Sequence, residues 1–141
     1  DAENIYQERG PLLKTEKGKE HILVVDDEFV LRDFLEQALR GYGYVVSLAE
    51  DGEKAVQIVK TTKRKIDLII LDMIMPKMDG QEALLKIREL DNDVPVIITS
   101  GFSDKAKLEQ VGEMRIAGII QKPFRIDKLL TQIRTILDNL K

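Results

Sequence analysis

The chain has 141 residues, of which 43% are hydrophobic, and its 22 basic and 25 acidic side chains give a net charge of −3. This composition suits one domain with its own core, and the slight acidic excess does not favour a surface for nucleic acid or anionic membrane. The sequence has no cysteine and a single histidine, His21, which excludes disulfides, zinc-thiolate sites, thiol nucleophiles and multi-histidine metal sites. No apolar run is long enough to span a bilayer and no signal peptide is visible, so we expect a cytoplasmic location.

Residues 1–20 differ from the rest of the chain. They are dense in charge and interrupted by Gly10-Pro11, with only two short apolar pairs. Such a composition is typical of a linker or N-terminal extension. The sequence therefore predicts an extension over 1–20 and one folded domain over 21–141.

Five apolar runs follow, and each ends at a polar residue. They are HILVV (21–25), YVVSLA (44–49), IDLIIL (66–71), VPVIIT (94–99) and GIIQ (118–121). Continuous runs of Val, Ile and Leu, rather than alternating ones, indicate strands buried on both faces of a parallel sheet.

Apolar residues recur at helical spacing between and after these runs. The predicted helices cover 31–39, 53–60, 83–90, a weaker segment around Leu108 and Val111, and a final segment whose core-facing stripe runs from Ile126 to Leu140. Five strand–helix units with short loops predict an α/β fold with a doubly wound five-stranded parallel sheet, because parallel crossovers place helices on both faces.

Polar side chains follow four of the predicted strands at their carboxyl ends. They are Asp26 and Asp27, Asp72, Ser100, and Lys122. In an open parallel sheet, ligands bind beyond these ends. Any one of these residues could simply cap a helix or form a turn. Three adjacent carboxylates are harder to explain, since two charges about 4 Å apart repel by roughly 4 kcal/mol at an effective dielectric constant near 20. A divalent cation would offset that repulsion.

The chemistry of this set favours magnesium and a phosphoryl group. Oxygen donors without histidine or cysteine suit Mg²⁺, and a lysine and a hydroxyl suit phosphoryl oxygens. The stretch DDEFVLR after the first strand is not a glycine-rich nucleotide loop. We therefore expect the phosphoryl group to become attached to a carboxylate nucleophile rather than to arrive on a stably bound nucleotide.

The motifs VVDDE, LDMIMPKMDG, ITSG and QKPF, in this order, resemble the receiver domain of bacterial two-component response regulators. The resemblance covers His21 to about Asn139 and implies a flavodoxin-like (βα)5 fold with strand order 2-1-3-4-5. It implies that Asp72 is the phosphoacceptor and that Mg²⁺ is held by Asp26, Asp27, Asp72 and the backbone carbonyl of Ile74. It further implies that Ser100 and Lys122 contact the phosphoryl group and that Lys122–Pro123 is a cis bond.

The resemblance also implies partners and a mode of action. A histidine kinase or histidine phosphotransfer protein would supply the phosphoryl group, and the domain would catalyse only its own phosphorylation and dephosphorylation. The surface formed by the fourth helix, fifth strand and fifth helix would switch, and a homodimer could form there, without direct contact to nucleic acid or membrane. Ile119 stands where many receivers carry the aromatic residue that turns inward on activation. The apolar Ile74 and Phe102 lie where water is expected to approach, and we hypothesise that they slow hydrolysis of the phosphoaspartate.

Two other classes of function remain as alternatives. An aspartate-nucleophile phosphohydrolase would share the aspartate at the strand end, but it typically carries a second aspartate two positions later, where this chain has Ile74. A degenerate receiver used only for docking would not need the acids, hydroxyl and lysine that this chain retains. The parent protein could be a hybrid histidine kinase, a transcription factor or a standalone phosphorelay protein. We expect His21 to be a surface or strand-end residue, and Met73, Met75 and Met78 to pack the loop after Asp72.

Overall fold

The computed structural model describes residues 17–101, 109 and 114–140. Their strands form one parallel five-stranded sheet in the order β2-β1-β3-β4-β5, which confirms the predicted fold class and strand order. The strands are β1 His21–Val25, β2 Val45–Ala49, β3 Leu68–Asp72, β4 Val96–Ser100 and β5 Gly118–Gln121.

Four helices lie in the described part of the chain. They are α1 Phe29–Gly41, α2 Gly52–Thr61, α3 Gly80–Leu90 and α4 Ile126–Asp138. The last of these is the fifth helix of the sequence prediction, because the predicted fourth helix around Leu108 and Val111 lies outside the described residues. None of the described helices has the length and apolarity needed to cross a membrane.

The sheet separates two hydrophobic cores, and successive residues of a strand point alternately into them. Ile22 and Val24 of β1 belong to the core under α1 and α4, whereas Leu23 and Val25 belong to the core under α2 and α3. Strands β1, β3 and β4 are buried over their whole length. The prediction of strands buried on both faces is confirmed for these three.

Of two expectations about individual side chains, the one for His21 is confirmed as a strand end but not as a surface position, and the one for Leu140 was wrong. His21 does open β1, but it is only 3% exposed. Its Nδ1 lies 3.1 Å from the carbonyl oxygen of Arg64 and its Nε2 lies 2.7 Å from Ser47 Oγ. These polar partners allow an imidazole to be buried where a surface position was expected. Leu140 is 65% exposed, because α4 ends at Asp138 and the apolar stripe ends with it.

Residues 17–20 are fixed against the domain. The backbone N–H of Gly18 donates to the carbonyl oxygen of Tyr42 at 2.9 Å. Two guanidinium nitrogens of Arg134 on α4 donate to the two carboxylate oxygens of Glu20, at 3.1 and 2.6 Å. This bidentate ion pair connects the segment before β1 to the C-terminal helix.

Candidate functional site

Three carboxylates meet at the carboxyl edge, by which we mean the edge formed by the C-terminal ends of the strands. Asp72 is the last residue of β3, and Asp26 and Asp27 directly follow β1. The two strands are neighbours in register, so their ends coincide. One carboxylate oxygen from each acid lies within 4.8 Å of the others, with Asp26 and Asp72 buried and Asp27 exposed. The structure therefore brings together the three acids that the sequence predicted.

Lys122 joins this cluster from the end of β5. Its peptide bond to Pro123 is cis, as the resemblance implied, and its backbone N–H donates to the carbonyl oxygen of Ser100 at 2.7 Å. The Lys122 Nζ lies 2.8 Å from Asp26 Oδ2 and 3.3 Å from Asp72 Oδ2. A third carboxylate, that of the half-exposed Glu28, lies 3.7 Å away. Sequence reasoning missed Glu28, although its place directly after the acid pair was a signal.

The electrostatics of the cluster are unfavourable for Asp72. Burial, followed by the negative charge of Asp26, raises the pKa of Asp72 to about 7, against the attraction of Lys122. Burial alone would lower the pKa of the Lys122 ammonium, but Asp26 and then Asp72 outweigh it and raise that pKa above its usual value. One ammonium group thus lies near several carboxylates and cannot compensate all of them, and Asp72 is the one whose pKa is raised.

The donor set fits magnesium. All three candidate ligands are carboxylates, and their spacing within 4.8 Å allows a single ion to reach them. Mg²⁺ prefers a few carboxylates together with water and phosphate oxygens in octahedral geometry. The surplus of negative charge supplies the driving force, because a divalent cation would relieve the repulsion that raises the pKa of Asp72.

The loop after β3 is packed tightly beneath Asp72. Met73, Met75 and Met78 are buried, as predicted. The N–H of Gly80 donates to the carbonyl oxygen of Met73 at 2.9 Å, and a Cβ at Gly80 would lie 2.5 Å from the carbonyl oxygen of Asp72. A glycine is therefore required there, at the first residue of α3.

The apolar residues near the site are only partly described. Ile74 is 45% exposed beside Asp72, and its backbone N–H contributes a hydrogen bond to the Asp72 carboxylate. Ile119 is exposed on β5. Phe102 lies outside the described residues, as does most of the segment predicted to form the fourth helix of the switching surface.

The two hydroxyls at the end of β4 are both buried. Ser100, the predicted one, is the last residue of β4. Its neighbour Thr99, which the sequence did not single out, is the residue paired in register with Asp72. Which residue of β4 stands beside Asp72 depends on strand register, and the apolar run alone does not fix it.

Comparison with known proteins decides the family. Residues 22–134 match the family model described as the response regulator receiver domain. This chain belongs to that family. Receiver domains are parts of two-component systems, and this receiver domain carries the three acids and the lysine at the edge of its sheet.

Relatives and solved structures agree with this assignment. The receiver domain is 37% identical over 128 residues to a probable transcriptional regulator, ycf27, from Cyanidium caldarium, covering 91% of this chain and 50% of that protein. It is 33% identical over 127 residues to the response regulator MprA of Mycobacterium leprae, covering 85% and 52%. A response regulator receiver domain from Clostridium thermocellum superposes with a TM-score of 0.80 at 26% identity, covering 86% and 96%. The chain thus spans about half the length of these curated relatives.

Proposed function

We propose that this receiver domain accepts a phosphoryl group on Asp72 from a phosphohistidine of a histidine kinase or a histidine phosphotransfer protein. The observation that carries the proposal is the contact of Lys122 Nζ with both Asp26 and Asp72, at 2.8 and 3.3 Å, inside a cluster of three carboxylates. Such a cluster destabilises the fold, and buried clusters of like charge are typical of sites that carry out chemistry. We propose that the domain catalyses only its own phosphorylation and dephosphorylation, and that it does so in the cytoplasm.

The chemistry is a transfer from nitrogen to oxygen. A carboxylate oxygen of Asp72 attacks phosphorus, the P–N bond of the donor imidazole breaks, and the imidazole nitrogen keeps the electron pair and then binds a proton. Lys122 stabilises the negative charge on the phosphoryl oxygens by charge-assisted hydrogen bonding. The Ser100 hydroxyl is proposed to donate to the same oxygens once the group is in place.

Asp26, Asp27, Asp72 and the backbone carbonyl of Ile74 are proposed to hold Mg²⁺. When bound, the ion supplies positive charge against the phosphoryl oxygens and against the acids themselves. The residues of the chain orient the reactants, since the acceptor is the last residue of a buried strand and is held in place by it. The downstream effect is proposed to be a change of the surface formed by the predicted fourth helix, β5 and α4, which includes the exposed Ile119 and could bind a second copy.

The name of the ycf27 relative, a probable transcriptional regulator, supports a transcriptional regulator as the setting of this domain. No relative named above is a kinase, so the alternative of a hybrid histidine kinase receives no support from them. The alternative of a phosphohydrolase has no second acid at position 74, where the side chain is an isoleucine.

Incubation with Mg²⁺ and acetyl phosphate tests the proposal. We expect intact-mass measurement to find one phosphoryl adduct per chain, dependent on Mg²⁺ and absent from Asp72→Asn. The control is Asp33→Asn, which alters a partly exposed acid on α1 that accepts a hydrogen bond from Gln37 and leaves the acceptor untouched. Continuous release of phosphate would support the phosphohydrolase, and an adduct that persists in Asp72→Asn would overturn the assignment of the acceptor.

A further inference from the structure

Thr99 carries a buried hydroxyl that has no partner. Among the described residues, two buried side-chain polar atoms lack a hydrogen bond, Arg88 Nε and Thr99 Oγ1. The guanidinium of Arg88 is otherwise well used, since its Nη1 donates to the carbonyl oxygen of Val94 at 2.7 Å. Thr99 is 2% exposed and its hydroxyl is its only side-chain polar group. A buried hydroxyl without a partner destabilises the fold and so calls for an explanation.

Strand register places Thr99 beside the phosphoacceptor. Thr99 of β4 is paired with Asp72 of β3. Two residues earlier in each strand, Ile97 and Ile70 both belong to the core under α1 and α4. Since side chains at i and i+2 of a strand lie on the same face, Thr99 and Asp72 share that face of the sheet. Neighbouring strands of a sheet lie about 4.8 Å apart, so the two side chains are neighbours on that face.

The same alternation adds the other charged groups to this face. Val24 precedes Asp26 by two residues and belongs to the core under α1 and α4, and Ile120, two residues before Lys122, packs against it. By alternation, Thr99 therefore shares the face of Asp26, Asp72 and Lys122. Ser100, the next residue, ends β4 at the same carboxyl edge.

We propose that the Thr99 hydroxyl donates a hydrogen bond to a phosphoryl oxygen on Asp72, as a second hydroxyl beside Ser100. The inference rests on the proposed function. A phosphoryl group on Asp72 would bring three acceptor oxygens next to the Thr99 hydroxyl, which has no hydrogen-bond partner among the described residues. A hydroxyl adds no charge to a cluster that already has too much negative charge. The bond formed would be charge-assisted and would remove the cost of the unpaired group.

Two near-isosteric substitutions separate this role from simple packing. Thr99→Val keeps the shape and removes the hydroxyl, whereas Thr99→Ser keeps the hydroxyl and removes the methyl group. We expect Thr99→Val to melt at a higher temperature than wild type without ligand, because it removes an unpaired buried hydroxyl. The same variant should bind beryllofluoride, an analogue of the phosphoryl group, about tenfold more weakly in the presence of Mg²⁺.

The measurements are thermal unfolding with and without Mg²⁺ and beryllofluoride, titration of beryllofluoride by calorimetry, and the lifetime of the phosphorylated form. Thr99→Ser should bind within about twofold of wild type, which keeps the test valid if the valine variant folds poorly. Thr135→Val on the exposed face of α4 is the matched control and should match wild type. Equal beryllofluoride affinity of wild type and Thr99→Val, with wild type binding normally, overturns the role of Thr99 alone. Failure of wild type to bind beryllofluoride or to be phosphorylated overturns the proposed function as well.

Discussion

At the two edges of the sheet, the pKa values of acidic side chains are shifted in opposite directions. At the carboxyl edge, burial and the charge of Asp26 raise the pKa of Asp72 to about 7. At the opposite edge, where the strands begin, the hydrogen bonds from Arg134 lower the pKa of Glu20 to about 2. Both acids lie next to a buried strand, so the difference comes from their partners and not from their position in the fold.

The numbers of positive and negative groups explain the contrast. Arg134 gives two nitrogens to Glu20, a third contact of 3.3 Å to the hydroxyl of Tyr44, and a contact to Asp138. Lys122 has one nitrogen for Asp26, Asp72 and Glu28. The acid at the edge where the strands begin is therefore well compensated, whereas the carboxyl edge keeps negative charge that Lys122 alone does not balance.

The largest effect on stability is expected at Arg134. Arg134→Met should lower the free energy of unfolding by about 3 kcal/mol at neutral pH, because it leaves the Glu20 carboxylate and the Tyr44 hydroxyl without their partner. Urea denaturation measures this directly. Arg125→Met, which breaks an exposed pair with Asp127, should change the free energy by about 0.5 kcal/mol or less. Equal losses in the two variants would contradict the contrast between the edges.

The Arg134 effect should depend on pH in a defined direction. A carboxyl group whose pKa is lower in the folded state stabilises the fold above its unfolded pKa of 4.5, and this contribution disappears as the pH falls towards 2. The difference between wild type and Arg134→Met should therefore shrink between pH 4.5 and 2. A difference that stays constant through this range would show that Arg134 acts through packing rather than through Glu20.

The next effect has the opposite sign and lies at Asp72. Without magnesium, Asp72→Asn should raise the free energy of unfolding by about 2 kcal/mol at pH 8, because it removes a buried ionised group that is poorly compensated. The pKa of Asp72 is higher in the folded state, about 7 against 3.8. Wild-type stability should therefore fall as the pH rises from about 4 to 7, and the gain from Asp72→Asn should vanish below pH 3.8.

Magnesium sharpens the same measurement. Millimolar Mg²⁺ should stabilise wild type more at pH 8 than at pH 5, because the ion binds ionised carboxylates. At pH 8 it should stabilise Asp72→Asn less than wild type, because the variant lacks one of these carboxylates. Chemical denaturation at both pH values, with and without a chelator, provides the data. If Asp72→Asn proves less stable than wild type without magnesium at pH 8, the carboxylate is better compensated than its surroundings imply.

The smallest effect concerns the lifetime of the phosphoaspartate. Ile74 projects an exposed apolar side chain beside Asp72, and Ile74→Asn should speed loss of the phosphoryl group about two- to fivefold by admitting water. Leu85→Asn is the control, because Leu85 is an exposed apolar residue lining the same surface groove. Mass spectrometry over time after removal of the donor follows the loss. Identical decay in wild type and Ile74→Asn would remove the idea.

Most of the fold and of the acid cluster could be predicted because both follow from local pattern. Apolar runs such as HILVV and LIIL end in aspartates, and parallel strands bring such ends to one edge whatever their register. The bounds of the strands differ from the predicted ones by one or two residues, so that β3 includes Asp72 and β4 includes Ser100. The acid cluster did not depend on that detail, because Asp26 and Asp27 directly follow β1 and Asp72 ends β3.

What could not be predicted depends on contacts distant in sequence. The burial of His21 depends on Ser47 and on the carbonyl oxygen of Arg64, and the importance of Glu20 depends on an arginine on the last helix. Thr99 was hidden for a similar reason, since only the pairing of β3 with β4 shows that it stands beside Asp72. A single sequence carries no signal for such pairings.

The contact between Glu20 and Arg134 has a mechanical consequence. Glu20 directly precedes β1, and Arg134 lies in the C-terminal helix α4. Their ion pair therefore joins the segment before β1 to α4. A displacement of α4 relative to β1 would therefore have to break both hydrogen bonds of this ion pair. The two ends of the folded domain are thus linked directly, about 15 Å along β1 from the carboxyl edge that carries Asp72.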